Sequence, residues 1–190
     1  GYGITAPEYG YDDYEGVDVT GKFAVVLRHE PQEHNADSVL AGKIYTEHSQ
    51  LFSKAVNARR HGARGVLYVN DTAAHGGRHG DLVKFSGEVA PADAVIPFLH
   101  VSAAVVEKWM DSAGKDFEKL QKLIDDQLQP QSFAFPDSLQ ITVNVDLKRD
   151  EKRVRNVTAY LPGETAEHII IGAHYDHIGH GEQFSMASGR

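Results

Sequence analysis

The feature that most constrains the fold is a strand, helix, strand pattern in the first third of the chain. Residues 23–27 form a short apolar run that is typical of a buried strand. Residues 46–61 carry apolar side chains at helical spacing, with Thr46 able to cap the start and Gly62 able to end the helix. Residues 66–69 form a second apolar run. Because a helix between two such strands makes a crossover connection, this order predicts an α/β fold with a partly parallel sheet.

A third strand and two amphipathic helices are predicted after this unit. Residues 96–101 have strand character, and Pro97 favours an edge position in the sheet. Ser102 can cap one helix, and Asp116 can begin another. We interpret the apolar stripes of both helices as core packing. They comprise Val105, Val106, Trp109 and Met110 in the first helix, and Phe117, Leu120, Leu123 and Ile124 in the second.

The last part of the chain predicts a second sheet. Residues 139–147 alternate apolar and polar side chains, which is the pattern of a half-buried strand. A second strand over residues 154–161 would pair with it as an antiparallel hairpin, and residues 169–174 would join the same sheet. We therefore place a domain boundary after residue 135, which gives domains of 1–135 and 136–190.

Candidate metal ligands follow the most apolar stretch of that second domain. Ile169, Ile170 and Ile171 lack polar alternation, so they suit a strand that is covered on both faces. His174 and Asp176 come next and share one face of an extended chain, where parallel sheets bind ligands beyond their carboxyl ends. An imidazole can bind a metal through one nitrogen while a carboxylate holds the proton of the other. A His beside an Asp is also found as a hydrogen-bonded surface pair, so the residues alone leave both interpretations open.

Other histidines in the sequence are also candidate metal ligands. His29 and His34 resemble a helical pair of zinc ligands only superficially, because they are five residues apart and Pro31 interrupts any helix between them. We predict no site of that type. Three side chains near His174 in the sequence could add ligands to it: His177, His180 and Glu182.

Bulk composition excludes several classes of protein. The chain has 190 residues, 41% of them hydrophobic and 24% charged, which is ordinary for a globular protein with a real core. Its net charge of −8 disfavours a nucleic-acid partner, since that affinity comes largely from clustered Lys and Arg. No apolar run is long enough to predict a membrane span. The absence of Cys excludes disulfides and thiolate metal sites.

Two segments near the C-terminus carry a family resemblance. They are N-V-T-A-Y-L-P-G at residues 156–163 and E-H-I-I-I-G-A-H-Y-D-H-I-G at residues 167–179. Together they resemble the start of the catalytic domain of the co-catalytic zinc aminopeptidases, relatives of leucyl aminopeptidases and glutamate carboxypeptidase. The resemblance implies the first strands of an α/β/α zinc-peptidase sheet. It also implies that His174 ligates one of two Zn²⁺ ions and that Asp176 orients this ligand.

The sequence departs from that family after the G-A-H-x-D motif. An Asp-Asp-Asn-Ala-Ser-Gly-like run, whose Asp bridges both metals, is expected soon after position 181 and is not in the sequence. The family's catalytic Glu pair, later Asp and final His ligand are also missing. Because a catalytic zinc needs three protein ligands, we expect this polypeptide to be a piece of an enzyme, truncated at both ends and inactive alone.

Residues 1 to about 133 resemble the protease-associated (PA) domain. The resemblance implies a mixed sheet or open barrel with flanking helices, placed beside a substrate cleft to limit access, position peptides or contact partners. The segments that carry it are G-Y-G-I at 1–4, Y-D-D-Y at 11–14, G-K-F at 21–23, L-R-H-E-P at 27–31, K-A-V-N-A at 54–58 and G-A-R-G-V-L at 62–67.

Two functions are therefore open. In the first, the parent protein is a zinc-dependent exopeptidase that removes N-terminal residues from peptides, outside the cytoplasm as a secreted or periplasmic protein. In the second, it is a non-catalytic relative, similar to transferrin receptor, that binds peptides or proteins. The presence of both His174 and Asp176 favours the first.

Overall fold

The computed structural model divides the chain into two compact units, Gly1–Asp146 and Leu147–Arg190. Within them the structure describes residues 1–40, 42, 44–71, 82, 96–146, 153 and 155–173. The domain boundary predicted after residue 135 stays a prediction. In chain order, the elements are β1 (Thr5–Ala6), a 3-10 helix (Pro7–Tyr9), β2 (Tyr11–Asp12), β3 (Phe23–Leu27), a 3-10 helix (Glu47–Ser49), α1 (Leu51–Arg60), β4 (Gly65–Val69), β5 (Phe98–His100), α2 (Ala103–Ser112) and α3 (Phe117–Gln127).

A three-stranded parallel sheet organises the first unit. Its strand order is β3-β4-β5, and both pairs of neighbours are parallel. Leu27 lies opposite Val69, and Leu67 lies opposite Leu99. The crossover predicted between the first two strands is therefore confirmed, with α1 as its helix. β5 lies at the edge of this sheet, as Pro97 predicted.

Helices cover both faces of the sheet. Successive strand residues point to opposite sides, so Val26 and Leu27 belong to different buried clusters. The cluster around Val26 contains Ala58 of α1, whereas the cluster around Leu27 contains Val106 of α2 and Ile124 of α3. Every residue of the central strand β4 is buried as a result. The layered arrangement confirms the predicted mixed α/β class.

A short antiparallel pair, β1 with β2, precedes the sheet. Its anchor is the buried carboxylate of Asp13. That carboxylate accepts hydrogen bonds from the backbone N–H groups of Tyr2 (2.7 Å) and Ile4 (3.1 Å), and from the hydroxyl of Tyr11 (2.9 Å). The β1–β2 pair packs against the same cluster as α2 and α3, through Ile4, Ala6 and Tyr11.

The helix predicted over residues 46–61 begins late, because Thr46 caps the 3-10 helix at Glu47–Ser49 and α1 begins at Leu51. Helices α2 and α3 form where predicted, but two of their stripe residues were assigned wrongly. Val105 of α2 and Leu123 of α3 are each 37% exposed. The buried positions of α2 are Ala103, Val106 and Met110, which follow i, i+3, i+7 spacing. Since one residue turns a helix by about 100°, Val105 lies beside this stripe and not within it. For the same reason, Leu123 lies beside the buried stripe of α3, which includes Ile124.

The predicted second sheet is not formed in the part of the chain that the structure describes. Residues 139–146 and 155–173 contain no helix or strand. Ile169, Ile170 and Ile171 are each more than nine-tenths exposed, so the prediction of a buried strand there is wrong for this structure. A strand is held by hydrogen bonds to a neighbour, and no described strand pairs with either segment. Among the described residues, no helix combines the length and apolar character needed to cross a bilayer.

Candidate functional site

Polar side chains collect at the carboxyl edge of the parallel sheet. Arg28 and His29 follow β3 directly, and Asn70 and Asp71 follow β4. Because the carboxyl ends of neighbouring parallel strands meet at one edge, the in-register pairing of Leu27 with Val69 brings these residues together. We use the name His29 cluster for His29, Glu33, Tyr45 and Asp71.

An imidazole and two carboxylates form the centre of the His29 cluster. The Nδ1 atom of His29 lies 2.8 Å from Oε2 of Glu33 and 4.0 Å from Oδ2 of Asp71. The Asp71 side chain is 2% exposed, and that of Glu33 is 9% exposed. One ligand atom from each of the three residues falls within 4.8 Å of the others. The cluster therefore holds two acidic groups and an imidazole in a largely dry position.

Tyr45 covers the cluster. Its hydroxyl donates a hydrogen bond to Oε2 of Glu33 at 3.1 Å and lies 3.4 Å from Nδ1 of His29. The two rings are tilted against each other with 4.8 Å between centroids. Burial, together with the negative charge of Glu33, raises the pKa of Tyr45 to about 12, so the phenol stays a donor at neutral pH.

Glu33 is held as an anion within this environment. Burial by itself would raise the pKa of its carboxyl. The hydrogen bond and charge of His29, and the hydrogen bond from Tyr45, outweigh that effect, so the pKa lies below its ordinary value. Its second oxygen, Oε1, is buried and has no hydrogen-bond partner within the described part of the chain. Nε2 of His34 lies 3.6 Å from this oxygen.

The turn that carries the cluster has an unusual backbone. His29 and Gln32 have φ angles of 59° and 60°, in the left-handed region that non-glycine residues seldom adopt. Gln32 is fixed by α3. Its backbone N–H donates to Oδ1 of Asp125 at 3.0 Å, and its side-chain amide donates to the backbone carbonyl of Asp125 at 2.8 Å. The turn and α3 line a cleft of about 300 Å³ that includes Glu33 and Gln121.

A second group of polar residues lies beside the cluster on the same edge. The Nη1 atom of Arg28 donates to Oδ1 of Asn70 at 3.5 Å. The His100 ring, at the end of β5, stacks on Tyr68 with 4.3 Å between centroids and 9° between planes. Burial and the charge of Arg28 lower the pKa of His100 to about 4, so this imidazole is neutral at physiological pH. This edge thus offers hydrogen-bonding groups of several kinds.

The residues predicted as ligands lie outside the described residues. His174, Asp176, His177, His180 and Glu182 all fall there, so their roles stay predictions. The side chain of His34 is 70% exposed.

Sequence reasoning missed the His29 cluster itself. The sequence motif places His29 beside His34, whereas the structure pairs His29 with Glu33 and with Asp71, which follows the neighbouring strand β4. The signal that could have found it is the position of residues 28–29 and 70–71 directly after neighbouring parallel strands.

Comparison with known proteins agrees with this architecture. Residues 2–109, more than half of the chain, match the PA domain family. No curated protein and no solved structure matches the sequence. PA domains are protein-interaction modules that are found in proteases. With a parallel sheet covered on both faces and a family match across it, the chain belongs to the PA domain family.

Proposed function

We propose that this chain comes from a zinc-dependent aminopeptidase, in which the PA domain guides peptides to the catalytic domain. The observation that carries the proposal is the order of two features in one sequence. The PA domain match ends at residue 109, and the G-A-H-x-D motif of the zinc aminopeptidases follows at residues 172–176. Placement outside the cytoplasm, secreted or periplasmic, is part of the same proposal.

The carboxyl edge of the sheet is the surface that we assign to peptide contact. Arg28 contributes a guanidinium, which can bind a carboxylate or a peptide carbonyl in a planar, forked geometry. Asn70, which is buried, accepts a hydrogen bond from this guanidinium and so orients it. Neutral His100 adds two ring nitrogens, one a donor and the other an acceptor. Such a mixture suits recognition of peptide backbone and termini. A peptide is accordingly the ligand class that these side chains favour.

In the catalytic part, His174 would bind zinc through one ring nitrogen. Asp176 would accept the proton of the other nitrogen and so fix the tautomer and orientation of the ring. When bound, a zinc pair supplies a hydroxide nucleophile at neutral pH and polarises the carbonyl of the scissile bond. Replacement of Asp176 by Asn should therefore weaken zinc retention by about 10- to 100-fold without removing the ligand itself.

The test is an assay of the protein that carries this sequence on aminoacyl nitroanilides. We expect turnover that is lost with a chelator, regained with zinc and abolished by His174→Ala. A matched control is His168→Ala, which changes an exposed histidine six residues earlier and should leave turnover unchanged. The purified 190-residue chain alone should show no turnover.

Two results would contradict the proposal. Turnover that survives His174→Ala would exclude the assigned ligand. Peptide binding without any hydrolysis, at full zinc occupancy, would favour the non-catalytic, transferrin-receptor-like alternative.

A further inference from the structure

We propose that His29, Glu33 and Asp71 form a binding site for a divalent transition-metal ion, with zinc the best match to the donor set. This site lies within the PA domain. It is separate in sequence from the motif at residues 172–176, and it does not depend on the proposed peptidase activity.

The separations between the donors fit a common ion. Zinc binds imidazole nitrogen and carboxylate oxygen at about 2.0–2.2 Å, so two donors of a tetrahedral site lie about 3.3 Å apart. The distances from Nδ1 of His29 to the carboxylates of Glu33 and Asp71, 2.8 and 4.0 Å, lie on either side of that value. Small side-chain movements are enough to bring all three donors to one ion.

One buried oxygen of the cluster is available to bind a cation. The side chain of Glu33 is only 9% exposed, and its Oε1 is buried without a hydrogen-bond partner among the described residues. Buried carboxylate oxygens are normally satisfied, because an unpaired one keeps the full penalty of its lost hydration. Oε2 of Glu33 accepts from the Tyr45 hydroxyl, so Oε1 is the oxygen left to bind an ion, and the His29 proton that faces Oε2 would leave to solvent as Nδ1 takes the metal.

The donors are held by rigid parts of the fold. Asp71 is two residues beyond the last residue of β4, a strand that is buried throughout. His29 and Glu33 lie on either side of Gln32, whose bonds to Asp125 fix the turn. The Tyr45 hydroxyl orients Glu33 from outside, as hydrogen-bonded partners of metal ligands do.

The donor chemistry also selects the class of ion. One imidazole nitrogen and two carboxylates are typical of zinc and similar transition metals, which often keep a further position for water. Calcium prefers six to eight oxygen ligands, and magnesium keeps most of its waters, so neither suits a nitrogen donor with two carboxylates. We therefore expect zinc and cobalt(II) to bind, and calcium and magnesium not to compete.

The test is titration of the purified 190-residue chain with zinc chloride, followed by calorimetry. All variants are made in a His174→Ala background, so that the other candidate zinc ligand is absent. We expect one zinc per chain in that background, and a rise in dissociation constant of at least about tenfold in Glu33→Gln and in Asp71→Asn. His34→Gln, which changes the exposed neighbouring imidazole, should bind zinc unchanged. Cobalt(II) should give the intense visible absorption of a tetrahedral site, and this band should vanish in Glu33→Gln.

Thermal melts without metal check the fold of each variant, and having two isosteric variants keeps the test valid if one of them unfolds. Absence of zinc binding in the His174→Ala background would overturn the proposal. Equal affinity in Glu33→Gln and Asp71→Asn would also overturn it. A comparable loss in His34→Gln would show that surface histidines bind zinc adventitiously, and the site would be rejected.

Discussion

The ammonium group of Lys54 donates a hydrogen bond to the backbone carbonyl oxygen of Tyr2, with 2.5 Å between Nζ and O. Both residues are buried, and the same Nζ lies 5.7 Å from the centroid of the Tyr2 ring. Burial lowers the pKa of Lys54 to about 7, although the carboxylates of Asp13 and Glu30 oppose this shift. The contact ties helix α1 to the first residues of the sequence through one ionisable group.

Stability should therefore rise with pH through the titration of Lys54. The pKa of Lys54 is about 7 in the folded chain and its ordinary value is 10.5, so between these values the unfolded chain binds more protons and folding is favoured as pH increases. The free energy of unfolding of the wild type, minus that of Lys54→Met, should rise by up to about 1.4 kcal/mol per pH unit over this window. Urea unfolding at several values between about pH 7 and 9 measures it, below the range in which tyrosines titrate.

Lys108→Met is the control for this prediction, because Lys108 is exposed on α2. Its difference from wild type should not change with pH. Parallel curves for wild type and Lys54→Met would show that the buried ammonium does not titrate as described.

Loss of the Asp13 carboxylate should destabilise the first unit strongly. Asp13→Ala removes the acceptor for two backbone N–H groups and for the Tyr11 hydroxyl, all within a buried region. Because bonds to a charged acceptor are strong and the donors would be left unsatisfied, we expect a loss of about 3 kcal/mol. Asp18→Ala, which removes one exposed bond from the backbone N–H of Thr20, should change stability much less than Asp13→Ala does. Denaturant unfolding of both variants provides the measurement, and similar losses in the two would contradict the network.

His100 should titrate well below an ordinary histidine. Nuclear magnetic resonance of the ring protons is expected to give a pKa of about 4, with burial the larger cause and the charge of Arg28 the smaller. Arg28→Gln should raise this pKa but leave it below the ordinary value, because the burial remains. A pKa unchanged by Arg28→Gln would remove Arg28 as a cause, and an ordinary value in the wild type would contradict the packing of His100 on Tyr68.

Two helix starts allow a matched comparison. The Asp116 side chain accepts a hydrogen bond from the backbone N–H of Lys119 at 2.9 Å and so caps α3. Ser102 stands at the same position of α2 but makes no side-chain cap. We expect Asp116→Ala to lower the free energy of unfolding by about 1 kcal/mol and Ser102→Ala to have a smaller effect. Thermal or denaturant unfolding distinguishes them, and a reversed order would contradict these cap assignments.

Much of the first unit could be predicted because the relevant signals are local. The apolar runs of β3 and β4 and the helical spacing of α1 lie within short windows, and their order dictates a parallel crossover. Ser102 and Asp116, the residues predicted at the helix starts, stand directly before α2 and α3. These elements carry their own pattern and need no distant contact to be recognised.

The missed features depend on contacts between distant parts of the sequence. β1 and β2 have two residues each, too few for a periodicity, and Asp13 stabilises them through bonds to residues 2 and 4. Asp71 meets His29 only because β3 and β4 pair in register. Conversely, the isoleucine run at 169–171 has a local strand pattern without a neighbouring strand to complete it, and it is exposed.

The in-register pairing of β3 with β4 also has an evolutionary consequence. Arg28 and His29 lie directly beyond the last paired residue of β3 and belong to neither buried apolar cluster, so their side chains can be exchanged while the sheet keeps its partners. Relatives of this module can thus acquire or lose chemistry at that rim by point substitution. The strand ladder is preserved, because its last paired residues, Leu27 and Val69, precede this rim.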